Sequence, residues 1–314
     1  MIQEMIAMNR ICIAQLCVYC LSILPLLGNE FNVEEYFPVF PSAISFNYIE
    51  DRNIVFNGNP KEPVKLNGEL SYNFISGAYS LRTIQDIDSQ KRKDIREVFW
   101  DGKVVKHNNN LYISGKCVLA EGGYTNQILT YGEFPNPLEF MYTINLPKKP
   151  LLYSEILRRA LYEKIPMDIK NEGDILILKF KEEKNKIFTF EFDKKNKVPT
   201  LIKTSVRDID GNIDYSRTIR ISNYVSNLGY RFPTKIEVKI KSTGRINVDT
   251  EIKIDIIPSS IKFNNPIIDT ITFIPGTMVR DLINNKTYIT TNTTTENTKE
   301  EVIESILKEH LHDK

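Results

Sequence analysis

Between residues 174 and 256, apolar and polar side chains alternate with period two through six segments joined by short polar turns. The segments are 174–181, 187–193, 200–208, 214–224, 230–241 and 246–256. Ile236, Val238 and Ile240 fall on one side, while Lys235, Glu237, Lys239 and Lys241 fall on the other. Phe188, Phe190 and Phe192 likewise share a side, as do Ile252 and Ile254. Such alternation predicts strands buried on one side only. The connections are too short for helical crossovers, so neighbouring strands should be antiparallel. The predicted unit is a meander with one apolar face that needs a cover: itself, helices or an apolar ligand.

The rest of the chain extends this theme. Residues 68–84 read as one long strand, with Gly77 as a bulge or close-approach point. Residues 96–100 and 103–107 flank Asp101-Gly102, a hairpin signal. Segments 111–119 and 126–131 continue the strands. Residues 29–50 are rich in aromatics, and Pro38 and Pro41 exclude a helix running through them, so the segment should pack against the first strands. One helix is predicted in the body, over 151–164: Leu152, Ile156 and Ala160, with Leu157 and Leu161, follow helical spacing between Pro150 and Pro166. It packs on the core or acts as a lid over a half-barrel mouth. Further on, 261–263, 267–273 and 278–282 are strand-like, and Asn284-Asn285-Lys286 turns the chain into 287–290. A Thr/Asn-rich linker, 290–298, leads to an amphipathic helix over 299–312, with Thr298 and Glu301 at capping-box spacing. That helix either docks on the domain or serves a partner.

Composition places the domain. The chain has 314 residues and a formal charge of +1, without the basic footprint of a nucleic-acid binder. Residues 11–27 form an uncharged apolar run after Arg10, read as a secretion signal; an uncleaved anchor or a buried helix is the alternative. Met8 offers a second start. Cys12, Cys17 and Cys20 lie in this run, and Leu16 and Tyr19 are bulky for a lipid-attachment site. Cys117 alone remains in the body, which leaves no internal disulfide there and suggests a small buried strand residue. The organisation that results is a signal peptide or anchor at 1–28, one β-rich domain over 29–289, the linker, and the C-terminal helix at 299–314.

Catalytic chemistry is sparse. His310 and His312 lie two apart on the tail helix and point to different sides, and His107 reads as an exposed histidine at a strand end. No metal-ligand spacing, phosphate loop or nucleophile elbow appears. Asp208, Asp210, Asn212 and Asp214 alternate as in a calcium loop, but the glycine comes early and Ile219 stands where the closing glutamate belongs, so the segment reads as a turn. Asn285-Lys-Thr287 and Asn292-Thr-Thr294 fit glycosylation acceptors, which matter only in a eukaryotic cell. The sequence therefore offers no catalytic, metal or cofactor site.

The order of elements, with residues 229–236 (GYRFPTKI) opening a strand and 274–281 (IPGTMVRD) near the end, resembles the outer-membrane lipoprotein carrier superfamily, chiefly its large secreted bacterial members. The resemblance spans about residues 65–290. It implies a mainly β fold: an antiparallel meander forming an incomplete half-barrel, with a covering helix at 151–164 and the C-terminal helix at 299–312 added. It also implies an apolar concave face that shelters acyl chains in the periplasm or outside the cell. The residues set to line that face are Phe188, Phe190, Phe192, Ile236, Val238, Ile240, Ile252 and Ile254, whose alternative role is an ordinary filled core. The expected partners are a lipid or acylated protein, with a protein partner for the C-terminal helix and membrane contact only through residues 11–27 if uncleaved. Two other functions remain: a cell-envelope interaction protein with a filled core, and an extracytoplasmic hydrolase for which no acid/base pair is legible.

Overall fold

The period-two alternation is realised as one continuous ladder of strands. The structure, a computed structural model, describes residues 32–37, 41–87, 91–126, 137–141, 152–182, 185–243, 247–265, 271–291 and 297–298. The predicted signal run and the C-terminal helix lie outside these residues. A helical turn, α1 (Val33–Tyr36), precedes β1 (Ala43–Phe56), β2 (Asn59–Pro60), β3 (Val64–Asn73), β4 (Tyr79–Ile87), β5 (Arg92–Trp100), β6 (Val105–Ile113) and β7 (Lys116–Thr125). Helix α2 (Tyr153–Tyr162) then leads to β8 (Met167–Glu172), β9 (Ile175–Glu182), β10 (Lys186–Asp193), β11 (Val198–Arg207), β12 (Ile213–Asn227), β13 (Tyr230–Thr243) and β14 (Asn247–Ile256). Four short strands follow: β15 (Lys262–Phe263), β16 (Met278–Asp281), β17 (Lys286–Ile289) and β18 (Asn297–Thr298).

All six segments of the central meander are found, as β9 to β14. Each pairs antiparallel with the next. β8 adds a strand at its outer edge. At the other side stands β1, which pairs with β14 from Tyr48↔Ile256 to Phe56↔Val248 and with β3 from Ala43↔Asn73 to Arg52↔Val64. The first strand thus joins two meanders, β8–β14 and β3–β7, into one sheet. Beyond β7 the sheet continues through β16, paired parallel to β7, then β17 and β18. Among the described residues no pairing links β8 to this far edge, so the sheet is open and the barrel incomplete.

Turn chemistry accounts for the hairpins. Asn57-Gly58, Ser114-Gly115 and Leu228-Gly229 each have both residues at φ between 49° and 81°, which matches the two-residue turn favoured by twisted strands. At Asp101-Gly102 the carboxylate of Asp101 accepts the N–H groups of Lys103 and Val104, both at 2.7 Å, and closes the predicted hairpin. Two other expectations are corrected. Residues 68–84 are not one strand: they hold the end of β3, a turn and the start of β4, and Gly77 (φ +74°) is a turn residue rather than a bulge. There the side chain of Asn73 accepts the N–H groups of Ile75 and Ser76. Residues 111–119 likewise cross the Ser114-Gly115 turn between β6 and β7.

The core lies on one face of the sheet. Ile44, Phe46 and Tyr48 of β1, Leu66 and Leu70 of β3, and the inward residues of β9–β14 form one cluster with Leu138, Phe140, Tyr153, Ile156, Leu157 and Ala160. Helix α2 follows its predicted register, burying Tyr153, Ile156, Leu157 and Ala160. Its first turn is closed by Glu155, whose carboxylate accepts the N–H of Leu152 at 3.2 Å. The apolar face is therefore covered by α1, α2 and the 137–141 turn, not by a second sheet.

Candidate functional site

The eight residues singled out in the sequence share one face. Register places Phe188 opposite Phe180, Phe190 opposite Leu178 and Ile202, Ile236 opposite Ile221 and Ile254, and Val238 opposite Ile219 and Ile252. Seven are buried; Ile240 is half-buried and packs on the same cluster. The phenylalanines form a stack running along and across the strands. Ring centroids are 6.3 Å apart for Phe188–Phe190, 6.1 Å for Phe190–Phe192 and 5.5 Å for Phe180–Phe188, with planes within 28° of parallel. Each ring fully removed from water contributes about 1.5–3 kcal/mol.

The cover meets this stack edge-on. Tyr36 lies 5.1 Å from Phe192, Phe37 lies 5.6 Å from Phe192 and 6.3 Å from Phe190, and Tyr153 lies 6.1 Å from Phe190. Phe188, Phe190 and Phe192 are each 0 % exposed, so no water-sized space touches them in this conformation. Around its rim the cover is tied by ion pairs: Arg158 of α2 to Glu34 of α1 at 2.7 Å, Lys197 to Glu35 at 2.8 Å, and Arg159 of α2 to Glu182 of β9. The first two are exposed, and such pairs contribute roughly 0–1 kcal/mol each.

The structure adds polar residues that the sequence reading missed. Glu50 and Arg52 of β1 point to the inner face beside Tyr48, and Glu50 is completely buried. Arg52 donates to Oε1 of Glu50 from Nη2 at 2.8 Å and from Nε at 3.0 Å. Burial, and next the negative charge of Glu50, push the Tyr48 hydroxyl far above the usual phenol range. On β12, buried Arg217 donates to the hydroxyl of Tyr153 at 3.3 Å, a bond between floor and cover. A signal was present: Glu50 stands in period-two register with Ile44, Phe46 and Tyr48, and Arg217 with Ile219 and Ile221.

Other expectations are corrected or located. His107 is not an exposed strand-end residue; it lies within β6, half-buried, and burial lowers its pKa. Its ring fits because residue 123 is glycine: a Cβ there would come within 2.7 Å of Nε2. Cys117 is exposed on β7 rather than buried; the register shift at Leu111/Tyr112 lies directly across from it. The Asp208 segment is a turn, as read: Asp208 accepts the N–H of Asn212 at 2.8 Å, and Gly211 has φ +87°. Among the described residues no group of His, Cys, Asp or Glu side chains is placed to hold a metal ion, and no helix is long and apolar enough to cross a membrane. Asn292, His310 and His312 lie outside the described residues, and Asn285 sits in the exposed turn before β17.

The two stretches that carry the resemblance both open or shape strands. Residues 229–236 run from the Leu228-Gly229 turn into β13, and in 274–281 the carbonyl of Ile274 accepts the hydroxyls of Thr277 and Thr290 before β16 begins. Comparison with solved structures finds distant similarities at low identity. The chain is similar to a LolA superfamily protein from Nitrosomonas europaea, at 8 % identity over 75 % of this chain and 92 % of that one, with a TM-score of 0.36. It is also similar to a DUF1329 family protein from Desulfovibrio piger, at 9 % identity over 73 % and 88 % of the two chains, TM-score 0.34. A third, a β-barrel-like DUF1849 protein from Brucella abortus, matches at 8 % identity over 72 % and 100 %, TM-score 0.25. No protein-family model and no curated protein matches the sequence.

Proposed function

We propose that the protein is a non-enzymatic binder of a hydrophobic ligand, a lipid or lipoprotein acyl chain, working in the periplasm or outside the cell. The observation that carries this reading is the division of the core into two unlike halves. The floor is a strand ladder whose apolar residues, from Phe188 to Ile254, are fixed by pairing on both sides. The cover is a helical turn, a ten-residue helix and aromatic contacts, tied at the rim largely by exposed ion pairs. If one half gives way to a ligand, it is the cover. Opening re-exposes the rings of Tyr36, Phe37 and Tyr153 together with the stack beneath them. A long acyl chain offsets that cost, because each methylene it buries is worth about 0.8 kcal/mol.

The extracytoplasmic placement rests on the apolar run at 11–27. The test is to purify the protein from its own cells, extract it with organic solvent, and analyse the extract by mass spectrometry, alongside titration with a fluorescent fatty acid. Co-purifying lipid and saturable uptake are expected; absence of both overturns the reading.

A second reading is favoured by the complete burial of Phe188, Phe190 and Phe192. In it the face is permanently packed, and the protein acts in the cell envelope through the C-terminal segment 299–312, which the sequence predicts as a helix. Deleting residues 291–314 and comparing captured partners tests it, since this reading requires the partner list to change.

A further inference from the structure

Lys186 begins β10 and points to the same face as Phe188, Phe190 and Phe192. Its ammonium stands 4.8 Å from the centroid of the Phe188 ring. Register places Glu182 directly across from it, yet the Glu182 carboxylate is held by Arg159 of the covering helix. Arg159 thus takes the carboxylate across the strand pair, and Lys186, half-buried, makes no ion pair among the described residues. The arrangement is unfavourable as it stands: burial, and next the Arg159 charge, lower the Lys186 pKa. An incoming anion would relieve both.

The position matters as much as the charge. Lys186, Phe188, Phe190 and Phe192 form a row of alternate residues, and the six steps from residue 186 to 192 span about 20 Å. One end of the row is cationic and the remainder is aromatic, which matches an extended amphiphile with one charged head. We propose that Lys186 and Arg159 form an anion-binding end to the apolar row, so that the ligand is an acidic amphiphile. A carboxylate or a phosphate head sits between the two cations, and the tail runs along Phe188, Phe190 and Phe192. This inference rests on the ligand-binding reading above.

The test compares three probes with the same tail: hexadecanoic acid, hexadecyl phosphate and hexadecanol. On the unaltered protein the two acids should bind at least about tenfold more tightly than the alcohol, and the stronger of them identifies the head group. Lys186→Met should remove that preference while keeping the affinity for hexadecanol, and Lys186→Arg should retain it. An unchanged thermal midpoint in both variants establishes that the fold is intact. Equal binding of acids and alcohol to the unaltered protein, or a preference surviving in Lys186→Met, overturns the head-group assignment alone. Failure of all three probes to bind overturns the ligand-binding reading with it.

Discussion

Gly68 leaves the space that the ring of Tyr48 fills: a Cβ at residue 68 would stand 2.1 Å from Cζ of Tyr48. The two residues face each other across β1 and β3, at the seam where the N-terminal strand meets the first meander. Tyr48 is 1 % exposed and packs 6.2 Å from Phe46, so its ring has little freedom to move aside. Gly68→Ala should therefore destabilise the fold by about 1–3 kcal/mol, despite the ordinary advantage of alanine over glycine in a strand. Urea denaturation measures this. The loss should shrink when Gly68→Ala is placed in a Tyr48→Leu background, and two independent, additive effects would contradict the contact.

Glu50 and Arg52 should behave as a unit. Glu50→Ala leaves a cationic partner in the core, and breaking a buried pair in this way costs about 3–5 kcal/mol. The double replacement Glu50→Leu with Arg52→Leu removes both charges and should cost less than Glu50→Ala alone. A double-mutant cycle read by chemical denaturation checks the sign of the coupling.

Much of this fold is legible in the sequence, and the exceptions have physical causes. The strands β9–β14 announce themselves because one face is mostly apolar and the other mostly polar. β1 is hidden because Glu50 and Arg52 occupy inward positions and interrupt the alternation begun by Ile44, Phe46 and Tyr48. The break between β3 and β4 is hidden for the opposite reason: its turn contains Phe74 and Ile75, apolar residues at a place where polar ones are the usual signal. The inward placement of the residues from Phe188 to Ile254 was accessible from periodicity alone. What covers them was only half accessible: α2 shows helical spacing, whereas the four-residue α1 is too short to show any period.

The exposed rim pairs should matter locally rather than globally. Arg158→Ala and Lys197→Ala each remove one tie between α1 and its surroundings, at a cost of under about 1 kcal/mol in global stability. Hydrogen exchange should nevertheless quicken in residues 33–37 and 153–162 before it changes in β9–β14. Uniform acceleration across the sheet would show that cover and floor open together.

Acid should loosen the Asp101 hairpin. The N–H groups of Val104 and Lys103 donate to the Asp101 carboxylate and hold its pKa below the ordinary range. Its folded pKa is depressed, so its contribution is complete above the unfolded value of about 3.9 and is lost as pH falls through the folded value. The stability difference between the unaltered protein and Asp101→Ala should be largest near neutrality and shrink below about pH 4. Urea midpoints measured at several pH values check this, and a difference that grows on acidification would contradict it.

The central claim is that the floor accepts a ligand when the cover moves. Nuclear magnetic resonance with labelled isoleucine methyls and phenylalanine rings, recorded with and without carbon-13 hexadecanoic acid, tests it most directly. The account predicts contacts from the acyl chain to Phe188, Phe190, Phe192, Ile236 and Ile254, together with loss of the Tyr36–Phe192 contact. Acyl contacts elsewhere, or a Tyr36–Phe192 contact that persists at saturating ligand, would contradict it.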